Sequence, residues 1–121
     1  MSDQPLVSII INCFNGEKYI RKALDSVLTQ TYENWEIIFW DNKSTDKSAK
    51  IFQSYNDKRL RYFLAPFHTE LLYEARNYAL EKTAGDFIAF LDTDDWWLPD
   101  KLEKQLPLFE DSEVGLVYGN S

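Results

Sequence analysis

Gly85–Leu102 reads GDFIAFLDTDDWWLPDKL. Its first part, Asp86–Leu91 (DFIAFL), is a short apolar run with a glycine on one side and a cluster of acids on the other. That length and two-sided apolarity predict a strand buried on both faces, the pattern of a parallel sheet. The run gives way to Asp92-Thr93-Asp94-Asp95. Pro99 then suits the first turn of a helix extending to about Phe109, where a proline has no hydrogen bond to lose.

The same order of strand, polar exit and helix recurs upstream. Leu6–Ile11 (LVSIII) is apolar and largely β-branched and is broken by Phe14-Asn15-Gly16. Across Glu17–Gln30, Tyr19, Ile20, Ala23, Leu24, Val27 and Leu28 recur at helical spacing, with Asn15 as the expected cap. Trp35–Trp40 (WEIIFW) is a second buried strand with the polar exit Asp41-Asn42-Lys43-Ser44. Ser44 or Thr45 is placed to cap the next helix, whose inner positions are Ala49, Ile51, Phe52 and Tyr55. Leu60–Leu64 is a third strand, ended by Pro66, and Glu70–Lys82 a third helix through Leu72, Ala75, Tyr78, Ala79 and Leu80. Downstream, Val114–Tyr118 predicts one more strand.

Apolar strands alternating with amphipathic helices predict an α/β fold, a mostly parallel sheet with helices on both faces. The chain has no internal repeat, low-complexity tract or linker, and its 121 residues are expected to form one domain. In such sheets the ligand crevice lies outside the carboxyl ends of the strands. Phe14-Asn15, Asp41-Asn42 and Asp92–Asp95 all fall there.

The net charge of −7 argues against a nucleic-acid partner, which would need clustered Lys and Arg. Cys13 is the only cysteine, so no internal disulfide forms, and its apolar setting predicts a buried structural thiol. Met1–Pro5 has neither the basic nor the long apolar region of a signal peptide. No stretch reaches the roughly 18 apolar residues of a membrane span. The expectation is a soluble, cytoplasmic protein, with attachment to the inner face of the membrane left open for a longer protein.

Three carboxylates within four residues repel one another unless exposure, capping or a cation relieves them. If the segment turns after its strand, Asp92 and Asp94 both face the crevice. Hard cations such as Mg²⁺ or Mn²⁺ take oxygen ligands, commonly one or two carboxylates together with substrate phosphates. The alternative is that Asp94 and Asp95 only cap the following helix, favoured by its dipole.

The succession PLVSIIINCFNGEKYIRKALDSVLTQTYENWEIIFWDNKSTD, EARN, GDFIAFLDTDDWWLPDKLEKQ and VGLVYG resembles glycosyltransferase family 2 over Pro5 to about Gly119. The resemblance implies the Rossmann-like GT-A fold, here its N-terminal nucleotide-sugar-binding portion, apparently truncated. It implies an inverting transferase moving a sugar from a nucleoside-diphosphate-sugar donor to an acceptor hydroxyl on a glycan, a lipid-linked saccharide or another molecule, as in polysaccharide biosynthesis. It also implies Mg²⁺ or Mn²⁺.

Residue by residue, Phe14 matches the aromatic that lies against the nucleotide base, with Asn15 beside it; a core phenylalanine is the alternative. Asp41 matches an acid that helps hold the nucleoside, against a role as an Asx-type turn or cap. Asp92 and Asp94 match the two acids of the DxD motif, with Thr93 between them on the donor side. Asp94 is the direct metal ligand in this reading, and Asp92 contacts the ribose or metal-bound water. Arg76, of the Arg76-Asn77 pair, contacts the nucleotide, orients a motif aspartate or forms a salt bridge. Asn42 stands where many uridine-nucleotide users carry a second Asp, which predicts a relaxed base preference or a shift toward deoxythymidine or guanosine donors. Asn12 replaces a common Pro or Thr with little expected effect. The segment His68–Leu72 lacks a glycine many relatives have, and His68 is expected to be an exposed loop residue.

Inverting transfer needs a general base for the attacking hydroxyl. The resemblance places it beyond Ser121, so this chain alone is expected to bind donor weakly and to transfer no sugar. Truncation would also bare surface suited to forming a homodimer. Two other classes compete. A phospho-receiver needs an acid pair after its first strand, where this chain has Asn12-Cys13-Phe14-Asn15. A non-catalytic nucleotide-binding or scaffold domain derived from transferases would keep the metal-dependent site without turnover.

Overall fold

The computed structural model describes residues 5–68, 72–112 and 116–118, and side chains except those at 72, 73, 75, 76 and from 108 onward. Nine elements alternate along the chain: β1 (Val7–Cys13), α1 (Ile20–Leu28), β2 (Trp35–Asp41), α2 (Ser48–Gln53), β3 (Leu60–Leu64), α3 (Leu72–Leu80), β4 (Phe87–Phe90), α4 (Lys101–Ser112) and β5 (Leu116–Tyr118). The strands form one sheet in the order β3-β2-β1-β4-β5. Every pairing is parallel.

Both faces of the central strands are covered, which is why they read as unbroken apolar runs. Val7, Ile9, Ile11 and Cys13 of β1 join Trp35, Ile37 and Phe39 of β2 on one face. There they meet Ile20, Ala23, Leu24 and Val27 of α1, Phe52 of α2, and Leu102 and Leu106 of α4. On the other face Ile10, Ile38, Trp40 and Phe90 pack with Ala79, Tyr78 and Leu80 of α3. A fully buried Ile or Leu contributes roughly 1.5–3 kcal/mol. One face of α1 alone supplies Ile20 and Leu24 at 0% exposure, so its place on the sheet is strongly determined.

At the amino edge of the sheet a buried polar network joins three strands. Glu36 Oε2 accepts hydrogen bonds from Ser8 Oγ (2.6 Å) and the Ala84 N–H (2.8 Å), and Glu36 Oε1 accepts one from Arg61 Nη1 (3.0 Å). Ser8 Oγ in turn accepts the Gly85 N–H at 2.8 Å. Burial opposes the charge on Glu36, but these donors together outweigh it and hold its carboxyl below the usual glutamate range.

Several boundaries differ from the sequence expectations. β1 continues to Cys13, because Asn12 and Cys13 still pair with Trp40 and Asp41. α1 begins at Ile20: the Gly16 carbonyl first accepts the N–H groups of Tyr19 and Ile20, both at 3.0 Å, in a tighter turn. Asn15 does not cap it, and no side chain does. Asp46, rather than Ser44 or Thr45, serves α2, accepting the Ser48 N–H at 2.9 Å. α4 starts at Lys101, two residues after Pro99, and encloses Pro107. The expected helix start at Glu70 and strand start at Val114 lie outside the described residues.

Candidate functional site

The strand order reverses between β1 and β4, since β1 leads outward to β2 and β3 while β4 leads to β5. In open α/β sheets the ligand crevice lies at such a reversal, outside the carboxyl ends of the strands. Gly16, after β1, lies against Thr93, after β4. A Cβ on Gly16 would stand 3.1 Å from Thr93 Cβ and 3.2 Å from Cys13 Sγ. A side chain at this position would have to push Thr93 or Cys13 aside by a few tenths of an ångström, so glycine suits the close approach of the two loops.

The exits of β1 and β2 are stitched to each other. Asn15, at φ 54°, directs Oδ1 to accept the Thr45 N–H at 2.7 Å and the Asp46 N–H at 3.3 Å, while its own N–H bonds Ser44 Oγ at 2.9 Å. Asparagine tolerates this left-handed backbone better than most residues. Lys43, at φ 64°, is the second left-handed residue. Neither is a glycine, so this region of the protein holds local strain of the kind that gathers at binding sites.

Asp41 is 1% exposed. Its Oδ1 accepts the N–H of Ser44, three residues on, at 2.8 Å, a cap-like closure of the loop, and its Oδ2 accepts the Tyr62 hydroxyl at 2.6 Å. Burial, and then this carboxylate, push the Tyr62 hydroxyl well above the ordinary tyrosine range. Asn42 is also buried; its N–H bonds the Cys13 carbonyl at 2.8 Å. Thus the buried Asp41 and Asn42 shape the loops from within, and the exposed Asn15 ties them together from outside.

Phe14, Asp92 and Asp94 lie differently. Phe14 is 49% exposed, so the core alternative is excluded. Its ring lies 4.5 Å from that of His68. His68 Nδ1 stands 3.0 Å from the Asn42 carbonyl, which requires Nδ1 to carry the proton and donate. His68 is exposed as expected, but it braces Phe14 and the β2 exit together. Sequence reasoning missed that role: a lone histidine 26 residues from its partner carries no periodic signal.

Asp92 and Asp94 are exposed, and Thr93 and Asp95 partly so. The Asp95 N–H closes the turn on the Asp92 carbonyl at 3.0 Å. Among the described residues no group of three His, Cys, Asp or Glu side chains forms a closed metal cage. Two exposed carboxylates on one turn do fit a hard cation that takes its other ligands from phosphate and water. Arg76 belongs to α3, but its side chain lies outside the described residues. Asn12 faces Trp40 in register, and both Asn12 Oδ1 and Trp40 Nε1 are buried without a hydrogen-bond partner. Among the described residues no helix is long and apolar enough to cross a membrane.

The sequence profile of glycosyl transferase family 2 matches residues 8–121. The chain is 42% identical over 120 residues to an uncharacterized glycosyltransferase of Haemophilus influenzae, covering 98% of this chain and 48% of that protein. It is 39% identical over 118 residues to the UDP-Glc:alpha-D-GlcNAc-diphosphoundecaprenol beta-1,3-glucosyltransferase WfgD of Escherichia coli, covering 98% of this chain and 46% of that one. The chain therefore spans about half the length of these relatives. In structure it superposes on S. aureus TarS 1-349 in complex with UDP-GlcNAc with a TM-score of 0.82, at 27% identity over 88% of this chain and 32% of that one. The sheet order, the crevice at its reversal and these matches agree: the chain belongs to glycosyl transferase family 2 and has the GT-A fold.

Proposed function

We propose that this chain is the donor-binding part of an inverting glycosyltransferase that moves a sugar from a nucleoside-diphosphate sugar to an acceptor hydroxyl. One observation carries the reading. The contact of Gly16 with Thr93 brings the exposed Phe14 and the exposed Asp92 and Asp94 to the same reversal of strand order. An aromatic face for a base and paired carboxylates for a cation are the two requirements of a nucleoside diphosphate bound by an acidic protein.

In this reading Asp94 is the metal ligand, with Asp92 beside it on the metal or the ribose, and the ion is Mg²⁺ or Mn²⁺. A bound cation would offset charge on the diphosphate leaving group. Phe14 stacks on the base. Asn15, Asp41, Asn42 and Thr93 set the walls of the pocket through the loops they hold, and Arg76 supports the nucleotide from α3. The base that takes the proton of the attacking hydroxyl comes from the remainder of a longer protein. The isolated chain accordingly binds donor without transferring sugar. The E. coli relative is named for UDP-Glc and TarS is seen in complex with UDP-GlcNAc, so UDP belongs in a test panel beside dTDP and GDP.

The test is thermal unfolding against that panel, with Mn²⁺ and with chelator, for the wild type and Asp94→Ala. A ligand at one hundred times its Kd adds about 2.7 kcal/mol, a shift of several degrees for a domain of this size. The reading expects a shift that needs Mn²⁺ and vanishes in Asp94→Ala. A shift that ignores chelator and the substitution removes Asp94 from the site. No shift with any nucleotide removes the claim that this part alone binds donor.

A further inference from the structure

Gln30 is a polar side chain at 5% exposure, just past the end of α1 and remote in sequence from the donor motif. Its amide is fully engaged. Nε2 donates to the Ser26 carbonyl at 3.1 Å and to the Leu98 carbonyl at 2.6 Å, and Oε1 accepts the Leu102 N–H at 3.1 Å. The last two bonds cross 68 and 72 residues of sequence and clasp the segment that follows Asp92–Asp95.

The Leu102 N–H is among the first four of α4, which have no partner inside their own helix. Gln30 supplies that partner from just beyond α1, so α4 is capped from a distant part of the chain. Thr31 reinforces the clasp, its N–H bonding the Pro99 carbonyl at 2.8 Å and its hydroxyl bonding Glu103 Oε1.

The donor-motif turn is thereby fixed at both ends. Upstream, Leu91 is buried and its N–H bonds the Ile10 carbonyl, and Thr93 rests on Gly16. Downstream, Trp97 is 2% exposed and the Leu98 carbonyl is held by Gln30. Asp94 lies between these anchors in a turn closed by one backbone bond, with like charges on either side at Asp92 and Asp95.

We propose that Gln30 is a positioning residue for the Asp92–Asp95 turn: by fixing Leu98 and the start of α4, it keeps Asp92 and Asp94 in one geometry. The inference deepens the donor-site reading and rests on it for its functional consequence. Groups bonded directly to metal-binding side chains change metal affinity about 10- to 100-fold when removed, and Gln30, acting through the backbone, is expected at the lower end.

The test uses Gln30→Met, which keeps chain length and apolar volume and removes all three bonds. Arg61→Met, at the opposite edge of the sheet, is the control for general destabilisation. Amide hydrogen exchange is followed residue by residue without ligand. For Gln30→Met the Leu102 and Asp95 N–H groups should exchange at least tenfold faster relative to Ile9 and Ile37 in the central strands. Arg61→Met should leave that ratio unchanged. In parallel, the Kd for Mn²⁺ with the panel nucleotide should rise at least tenfold in Gln30→Met and less than threefold in Arg61→Met. If Gln30→Met does not fold, Gln30→Glu, which keeps an acceptor for the Leu102 N–H but loses both donors, carries the comparison on the Asp95 N–H and the Mn²⁺ Kd. Unchanged relative protection of Asp95 overturns the proposal. If the wild type binds no nucleotide, the donor-site reading falls, and the exchange ratio still decides whether Gln30 holds the turn.

Discussion

Replacing Glu36 by glutamine keeps shape and removes charge at the centre of the amino-edge network. Glu36 is 8% exposed, and its two oxygens accept from Ser8, Ala84 and Arg61. Glutamine has one acceptor oxygen and one donor group. If its oxygen takes the Oε2 position, its NH₂ faces the Arg61 guanidinium, donor against donor. If it is turned over, the NH₂ meets the Ala84 N–H instead. A hydrogen bond to a charged group contributes about 1.5–3 kcal/mol, and roughly half that when both partners are neutral. The Arg61 side chain is 42% exposed, so water screens its share, and most of the loss falls on the Ser8 and Ala84 bonds. The expected cost at pH 7 is about 2 kcal/mol. That corresponds to roughly 8 °C in Tm for a chain of this length. The sign of the pH dependence follows from the lowered carboxyl. Its stabilisation is complete above the unfolded value near 4.5 and is lost as pH falls through the lower folded value. Urea unfolding of wild type and Glu36→Gln at pH 7 and at about pH 3.5 measures the difference, and the other carboxylates cancel between the two proteins. The gap should narrow on acidification. A gap equal at both pH values, or below about 0.5 kcal/mol at pH 7, refutes the assignment of stability to the ionised Glu36.

Gly85→Ala would place a Cβ 2.5 Å from Ser8 Oγ, 2.7 Å from the Ser8 nitrogen and 2.8 Å from the Leu6 carbonyl oxygen. Two of these are backbone atoms, so the expected cost is about 3 kcal/mol or more by urea unfolding, and a variant within 1 kcal/mol of wild type contradicts the packing. Cys13 is 1% exposed, and burial pushes its thiol up against the opposing hydrogen bonds of Ser48, Ser44 and Gly16. Iodoacetamide at pH 8 should label it on the order of a hundredfold more slowly in the native protein than in urea; equal rates would mean that the carboxyl end of β1 opens freely.

The strands were legible because two-sided burial leaves a mark in composition. IIFW and FIAFL tolerate almost no polar residue when helices cover both faces. Their ends were harder to read: Asn12, Cys13 and Asp41 still pair within the sheet, and a polar residue there looks like an exit. Helix starts slipped for a related reason. Gly16 and Asp46 set the first turns through a backbone carbonyl and a neighbouring loop, while the nearest capping residue in sequence, Asn15, is occupied elsewhere. The three strand exits could be grouped as a candidate site because parallel topology alone gathers them at one edge.

Sequence could not sort the members of that site. Phe14, Asn15, Asp41 and Asp92 carry the same kind of signal, a polar or aromatic residue just past an apolar run. The fold buries Asp41 as a loop stitch, ties the exposed Asn15 to the neighbouring loop through its amide, and leaves Phe14 and Asp92 exposed. That division depends on which N–H groups the neighbouring loop offers, and the two loops lie 30 residues apart. His68 and Gln30 escape notice for the same reason at 26 and 68 residues. The residues that would touch a donor are therefore the shallow part of the site. Its geometry resides in amides and carboxylates that bond backbone across long intervals, and substitution there should loosen Asp92 and Asp94 without altering either one.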